Sequence, residues 1–209
     1  MTDARRGRCD GVRRPLLVIL AGGLLAGCVT APPPRPTTVT AAVPWPQRRA
    51  QLQSLSPFEL TGRVAVAAGS EGFNAHLSWQ QSGPRTSLEL NGPLGVGGIH
   101  VVANGATLSV ETSQGKHLTS DEARAELTDK LGFEPPLGSL RYWVLGVPDP
   151  ATSSLETIGS DQRLAALEQN GWRIVYSSYM SAGDRWLPQR LVLQRGDVRV
   201  RVVVDQWQP

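Results

Sequence analysis

The sequence is poor in the residues that build most catalytic centres: two cysteines and three histidines among 209 residues. His76, His100 and His117 are scattered, with no His-Glu-x-x-His pair and no cysteine beside them, so no zinc spacing is present. No Gly-x-Ser-x-Gly elbow occurs. The glycines Gly92, Gly95, Gly97 and Gly98 fit neither a phosphate loop nor a dinucleotide fingerprint. Acidic residues gather between Asp121 and Asp129, interleaved with Arg124 and Lys130, which is the pattern of a solvated helix face. These absences argue against an enzyme and leave no expected cofactor or metal.

What is present begins with a leader. Arg5, Arg6, Arg8, Arg13 and Arg14 precede an apolar run of ten residues from Leu16 to Leu25. That is half the roughly 20 residues needed to cross a bilayer, so the run suits a secretory signal peptide over residues 1–27. It ends in Leu25-Ala26-Gly27-Cys28, which resembles a bacterial lipobox. The resemblance implies that Cys28 becomes the acylated first residue of the mature chain. One acyl chain holds a protein only marginally on a membrane, whereas two or more anchor it stably. Val29 follows in place of the Asp that would retain such a lipoprotein in the inner membrane, so the expected address is the outer membrane, on its periplasmic face.

The leader also distorts the charge balance. It carries those five arginines against Asp3 and Asp10, leaving 16 basic and 16 acidic residues from totals of 21 and 18. A neutral mature chain gives no footprint for nucleic acid. Cys9 leaves with the leader and Cys28 is acylated, so no disulfide is expected. From Cys28 to Pro46 the sequence is rich in Pro and Thr without an apolar period, an extended tether; residues 47–209 suffice for one domain with its own core.

Within that domain, Pro44 and Pro46 suit the start of a short helix from Trp45 to Leu55. A period of two then sets in. Phe58, Leu60, Gly62, Val64 and Val66 share one face, and Phe73, Ala75, Leu77 and Trp79 share another across the turn residues Gly69 to Gly72. Strands are expected at Thr86–Leu90, Ile99–Ala103 and Ala106–Thr112, with Asn104-Gly105 forming a type I′ turn. Thr119 and Glu122 stand at capping-box spacing before a helix over Ala123–Leu131 that stops at Gly132, and a second helix spans Ser139–Leu145. Strands return at Trp172–Met180, Leu187–Gln194 and Val198–Val204, the last with its valines on one side and Arg199 and Arg201 on the other. Arg163–Gln169 has helix-favouring Ala, Leu and Glu, yet the Asn170-Gly171 that follows suggests a hairpin arm, so both readings stand. The pattern is α+β: a curved antiparallel sheet with a helical insertion.

One loop stands out. Asn91-Gly92-Pro93-Leu94-Gly95-Val96-Gly97-Gly98 places two apolar residues among four glycines and a proline, where polar residues are usual. Leu94 either projects as a probe into acyl chains or folds back into the core. At this point the segments Phe58-Glu59-Leu60-Thr61-Gly62-Arg63, Leu77-Ser78-Trp79-Gln80-Gln81, Gly92-Pro93-Leu94-Gly95, Pro136 through Pro148, and Asn170 through Tyr176 become informative together. In this order and spacing they resemble the LolB family across nearly all of the mature chain. The resemblance implies a half-closed antiparallel barrel with a helical lid, of the LolA/LolB kind. It implies that acyl chains of client lipoproteins arrive from a LolA-like periplasmic carrier and lodge in the concave face. It further implies that the loop Pro93, Leu94, Gly95 and Val96 enters the inner leaflet of the outer membrane, with Leu94 as the inserted residue, and that the protein acts as a monomer.

Strand parity nominates Val64, Val66, Leu77, Trp79, Leu88, Leu90 and Val110 for the concave lining, with Leu140, Trp143 and Val144 on the covering helix. The same residues would serve equally well in a filled core. Two other readings are compatible with the residues: a structural lipoprotein subunit of an outer-membrane assembly machine, which needs no cavity, and a carrier of lipids or glycolipids on the same fold.

Overall fold

The computed structural model describes residues 43–93 and 97–209, all within one compact unit, Thr40–Pro209. The leader, Cys28, the tether up to residue 42, and Leu94, Gly95 and Val96 lie outside the described residues.

Alternation dominates the chain, and alternation makes sheet. Eleven strands form: β1 (Phe58–Ala68), β2 (Glu71–Ser82), β3 (Arg85–Asn91), β4 (Ile99–Asn104), β5 (Thr107–Thr112), β6 (His117–Thr119), β7 (Leu155–Ile158), β8 (Leu164–Gln169), β9 (Trp172–Ala182), β10 (Arg185–Arg195) and β11 (Val198–Gln208). They lie in one antiparallel sheet, ordered β6-β5-β4-β3-β2-β1-β11-β10-β9-β8-β7, so the chain's first and last strands pair at its middle. The sheet does not close, because β6 and β7 are its two edges.

Curvature has identifiable causes. The β1–β11 register breaks between Thr61 and Gly62, and the β9–β10 register breaks around Pro188 to Leu191; such bulges add local twist and bend the strand. Pro188 sits at its break because it has no N–H for the ladder. Its carbonyl instead accepts the Trp207 indole N–H at 2.9 Å. Gly62 is needed for a different reason: a Cβ there would stand 2.2 Å from the Val203 carbonyl oxygen, so only glycine lets β11 approach.

Three helices accompany the sheet: α1 (Trp45–Gln53), α2 (Ser120–Leu131) and α3 (Leu137–Trp143). The segment carrying α2 and α3 leaves one sheet edge, β6, and returns at the other, β7. Ala123, Leu127 and Leu131 of α2 are buried, and this helix packs on β5 and β6. α1 lies against the opposite edge, where Glu156 of β7 accepts the Trp45 indole N–H at 2.8 Å and pairs with Arg49 at 2.8 Å.

Several local expectations change. The β4–β5 turn is Gly105-Ala106, with Asn104 paired to Thr107 and a positive φ at Gly105 but not at Asn104. That is the glycine-first pattern of a type II′ turn, one residue later than the expected type I′ turn. The other expected turn holds: Asn170 and Gly171 both take positive φ between paired Gln169 and Trp172, which makes Leu164–Gln169 a strand. Thr119 flanks α2, but its side chain makes no capping hydrogen bond; the helix starts at Ser120, three residues earlier than expected, and stops at left-handed Gly132, as expected. α3 runs two residues earlier than expected. The short strands β6 and β7 carry too few alternating residues to be visible in the sequence.

Candidate functional site

The inward face of the sheet is largely apolar, with Gln81, Thr86, Thr112 and Gln169 also buried on it, and the helical segment between β6 and β7 packs against it as a lid. Val64 and Val66 of β1, Leu77 and Trp79 of β2, Leu88 of β3 and Val110 of β5 are buried on this face; Leu90 at the end of β3 is half-buried. From the lid, Trp143 and Val144 are buried and Leu140 is half-buried. The structure therefore brings all ten nominated residues into one continuous apolar interior.

Two cavities open at opposite ends of strands β3 to β5. One, of about 500 Å³, lies beside the Gly105 turn, between Thr86, Ala103 and Leu108 of the sheet and Leu127, Leu137 and Tyr142 of the lid. The other, about 290 Å³, lies at the loop end, between Phe73, Ala75, Leu90 and Ile99 of the sheet and Lys130 and Leu131 of α2. Of the ten nominated residues, Leu90 borders the second cavity and the other nine border neither. Between the cavities α2 meets the sheet, so a passage joining them requires α2 to move.

The aromatic residues divide into two groups with different duties. Trp79 packs with Phe58, which in turn packs on Trp207, at ring-centroid distances of 6.3 and 5.8 Å. Trp143 packs against Trp172 at 6.4 Å, and Trp172 against Phe133 at 5.6 Å, so β9 and the lid share one cluster. Trp143 is also held by polar contacts, which makes it a fixed wall.

Gln169, buried on β8, uses its whole side chain for this. Its Oε1 accepts the Trp143 indole N–H at 2.8 Å and the Asp149 backbone N–H at 2.9 Å, while its Nε2 donates to the carbonyls of Asp149 and Thr152 at 2.8 and 2.9 Å. The Ser139 hydroxyl donates to the Asp149 carboxylate at 2.7 Å and accepts from Asn170 Nδ2 at 3.0 Å. The Tyr176 hydroxyl donates to the Trp143 carbonyl at 2.8 Å, and burial pushes this phenol's pKa well up. Tyr179 donates to the Leu164 carbonyl at 2.6 Å and is likewise raised by burial. Thus α3 and the chain after it are bolted to β8 and β9 by buried hydrogen bonds, whereas α2 is held to β5 and β6 by apolar packing and by the Lys116–Glu126 ion pair at 3.0 Å before β6. Gln169 and Asp149 were not nominated from the sequence, because a buried amide looks like any other glutamine next to a hairpin turn.

The glycine-rich loop starts from a half-exposed base. Pro93 is exposed and borders both the loop-end cavity and a cleft on the convex side of the sheet. The histidines are spread over β2, β4 and β6 and exposed; His100 Nε2 lies 2.9 Å from the Ser87 hydroxyl. Among the described residues, no group of His, Cys, Asp and Glu is placed to hold a metal ion.

Residues 56–207 match the family model described as outer membrane lipoprotein LolB. The chain belongs to the LolB family. It is 36% identical over 167 residues to the outer-membrane lipoprotein LolB of Pseudomonas syringae pv. syringae, covering 79% of this chain and 80% of the relative. Against the Pseudomonas aeruginosa LESB58 protein of the same description it is 33% identical over 165 residues, with the same coverage. Membership makes it an outer-membrane lipoprotein of the lipoprotein-localisation system. Among solved structures, a LolA superfamily protein from Nitrosomonas europaea superimposes with a TM-score of 0.52 at 9% identity, covering 80% of this chain and 94% of that one. A DUF1329 family protein from Desulfovibrio piger does so with 0.54 at 8%, covering 77% and 88%. These likenesses establish the fold: an open antiparallel sheet with a helical lid, of the LolA superfamily type.

Proposed function

We propose that this chain takes acylated lipoproteins from a soluble LolA-like periplasmic carrier and releases them into the inner leaflet of the outer membrane, acting as a monomer and catalysing no covalent chemistry. The observation that carries this reading is the apolar concave face covered by a helical segment in a LolB-family chain. A filled two-sheet core has no such cover, whereas here α2 lies between two cavities and is held to the sheet by apolar contacts and one ion pair, Lys116–Glu126. An acyl chain enters by displacing α2, and the sheet residues from Val64 to Val110 become its lining. The bolted α3 segment, with Trp143, stays as the fixed wall.

Anchoring and release come from the two ends of the reading. Cys28, acylated once residues 1–27 are removed, holds the domain at the membrane through the tether. The Pro93 to Val96 loop enters the leaflet, with Leu94 as its apolar tip. Burial in hydrocarbon gains about 0.8 kcal/mol per methylene, so hand-over needs no nucleotide if each acceptor holds the acyl chains more tightly than its donor.

The test uses residues 29–209, which keep every helix and strand of the described residues, mixed with carrier loaded with a radiolabelled lipoprotein. Label moving to this chain without nucleotide, and then from it to liposomes, is the expected result. A folded chain that takes no label sinks the proposal.

A further inference from the structure

On the convex side of the sheet, beside the loop, a cleft of about 380 Å³ runs across β2, β1 and β11. Its walls include Arg63, His76, Arg201 and Pro93, and Ala65 and Val203 contribute apolar surface between them. The register explains the shape. Ala65 lies between Asn74 of β2 and Arg201 of β11, and Arg63 lies between His76 and Val203, so a small residue in the middle strand leaves a furrow with basic flanks. Two residues further along, Ala67 continues the floor opposite Arg199.

One of the charges is paired within the protein and the others are not. Asp205 pairs with Arg63 at 3.0 Å and orients it. Among the described residues Arg199 and Arg201 form no ion pair, although both are exposed on the same strand. Asp197 stands near Gly69, beyond the end of the furrow, and the walls of the cleft carry no carboxylate. The site thus combines fork-shaped donors, which suit phosphate geometry, with an apolar floor. Pro93 forms part of one wall, so the arginines lie on the same side of the sheet as the residue from which the loop departs.

We infer that this cleft binds the phosphate of a phospholipid headgroup at the bilayer surface, docking the convex wall while the neighbouring loop enters the leaflet. The inference rests on the proposed insertion reading for the loop's direction, and charge complementarity carries the rest. A basic residue near an anionic surface contributes about fivefold in binding, so reversing one charge removes about 30-fold.

Residues 29–209 are floated with vesicles of phosphatidylcholine alone and of phosphatidylcholine mixed with phosphatidylglycerol. Arg201→Glu is expected to weaken binding to the mixed vesicles about 30-fold, Arg201→Lys, which keeps the charge and loses the fork, to weaken it less than Arg201→Glu does, and capture of label from the carrier in solution to stay unchanged. Leu94→Glu, by contrast, lowers binding to both kinds of vesicle. If Arg201→Glu binds mixed vesicles like the unmodified chain, the inference is overturned. It is overturned in favour of a carrier contact if the variant loses capture but keeps vesicle binding. Inorganic phosphate that competes more strongly than chloride of equal ionic strength replaces it with a free-phosphate site. Failure of the unmodified chain to capture label would strike the receptor reading alone, because the vesicle arm does not use the carrier.

Discussion

Replacing Gln169 with Leu isolates the bolt that holds the α3 segment to the sheet. The substitution removes four hydrogen bonds at once and strands the Trp143 indole N–H, the Asp149 N–H and two carbonyls. Each buried polar group left without a partner costs about 1–3 kcal/mol. Trp143 is fully buried and Asp149 nearly so, while Thr152 is exposed and its carbonyl can turn to water. Counting the two donors in full and the carbonyls in part gives about 3–5 kcal/mol, a large share of the roughly 5–15 kcal/mol by which domains are stable. Urea unfolding followed by tryptophan fluorescence reads the total. Amide exchange over residues 137–152 reads where the loss falls, and it should rise there before it rises in β1 or β11. A loss under about 1 kcal/mol, or exchange unchanged in that segment, would refute the assignment of Gln169 as the bolt.

Other positions give independent checks. Gly62→Ala forces a methyl group against the Val203 carbonyl oxygen and should cost about 2–3 kcal/mol or prevent folding, measured by the same denaturation, whereas alanine at exposed, uncrowded Gly138 should be tolerated. Tyr176 and Tyr179 are both held above the ordinary tyrosine range by burial, so the unfolded chain loses these protons first. Their contribution is complete below about pH 10 and is lost as pH rises beyond it; the Tyr176→Phe, Tyr179→Phe double variant should unfold less steeply in alkaline titration. Leu94→Glu puts a carboxylate where the proposed function puts hydrocarbon, a cost of about 3 kcal/mol, so delivery to liposomes should fall about 100-fold while capture from the carrier persists.

The fold was legible because most of its strands alternate strictly. Phe58 to Val66 and Val198 to Val204 each declare which side faces inward, and the seven nominated strand residues fall on the interior side as parity requires. Turns were legible only where both central residues carry a signal: Asn170-Gly171 does, whereas at Asn104-Gly105 the asparagine reads equally well as the last strand residue. Pairing at the sheet's middle, β1 against β11, has no local signature at all, since its register depends on a bulge made possible by Gly62. The lid bolt was hidden for a related reason. Gln169 and Asp149 are polar by sequence and buried only because three separate segments converge on them. Arg199 and Arg201 were visible as the outward half of β11, but the cleft beside Arg201 needs Ala65 next door, which parity alone does not reveal.

The packed interior bears on how a receptor can let go of what it binds. An acyl chain of about 12 methylenes gains ~10 kcal/mol on leaving water, whether its destination is a bilayer or a protein groove. In the bilayer nothing has to be displaced. In this protein, nine of the ten nominated residues border neither inner cavity, so an acyl chain lodged against them, as the proposed function requires, would have to lift α2 off β5 and β6 and expose Leu127 and Leu131, or leave them poorly packed. Leaving one such leucine unburied costs about 1.5–3 kcal/mol. Under the proposed function the complex is therefore weaker than the bilayer by roughly the cost of holding the lid open, which would make release into the membrane downhill without any input of energy. An interior that stood open would bind the chains as tightly as the bilayer does and keep them. Shortening the apolar face of α2, as in Leu127→Ala, should accordingly lengthen the life of the captured complex and slow delivery to liposomes, and faster delivery by that variant would sink the argument.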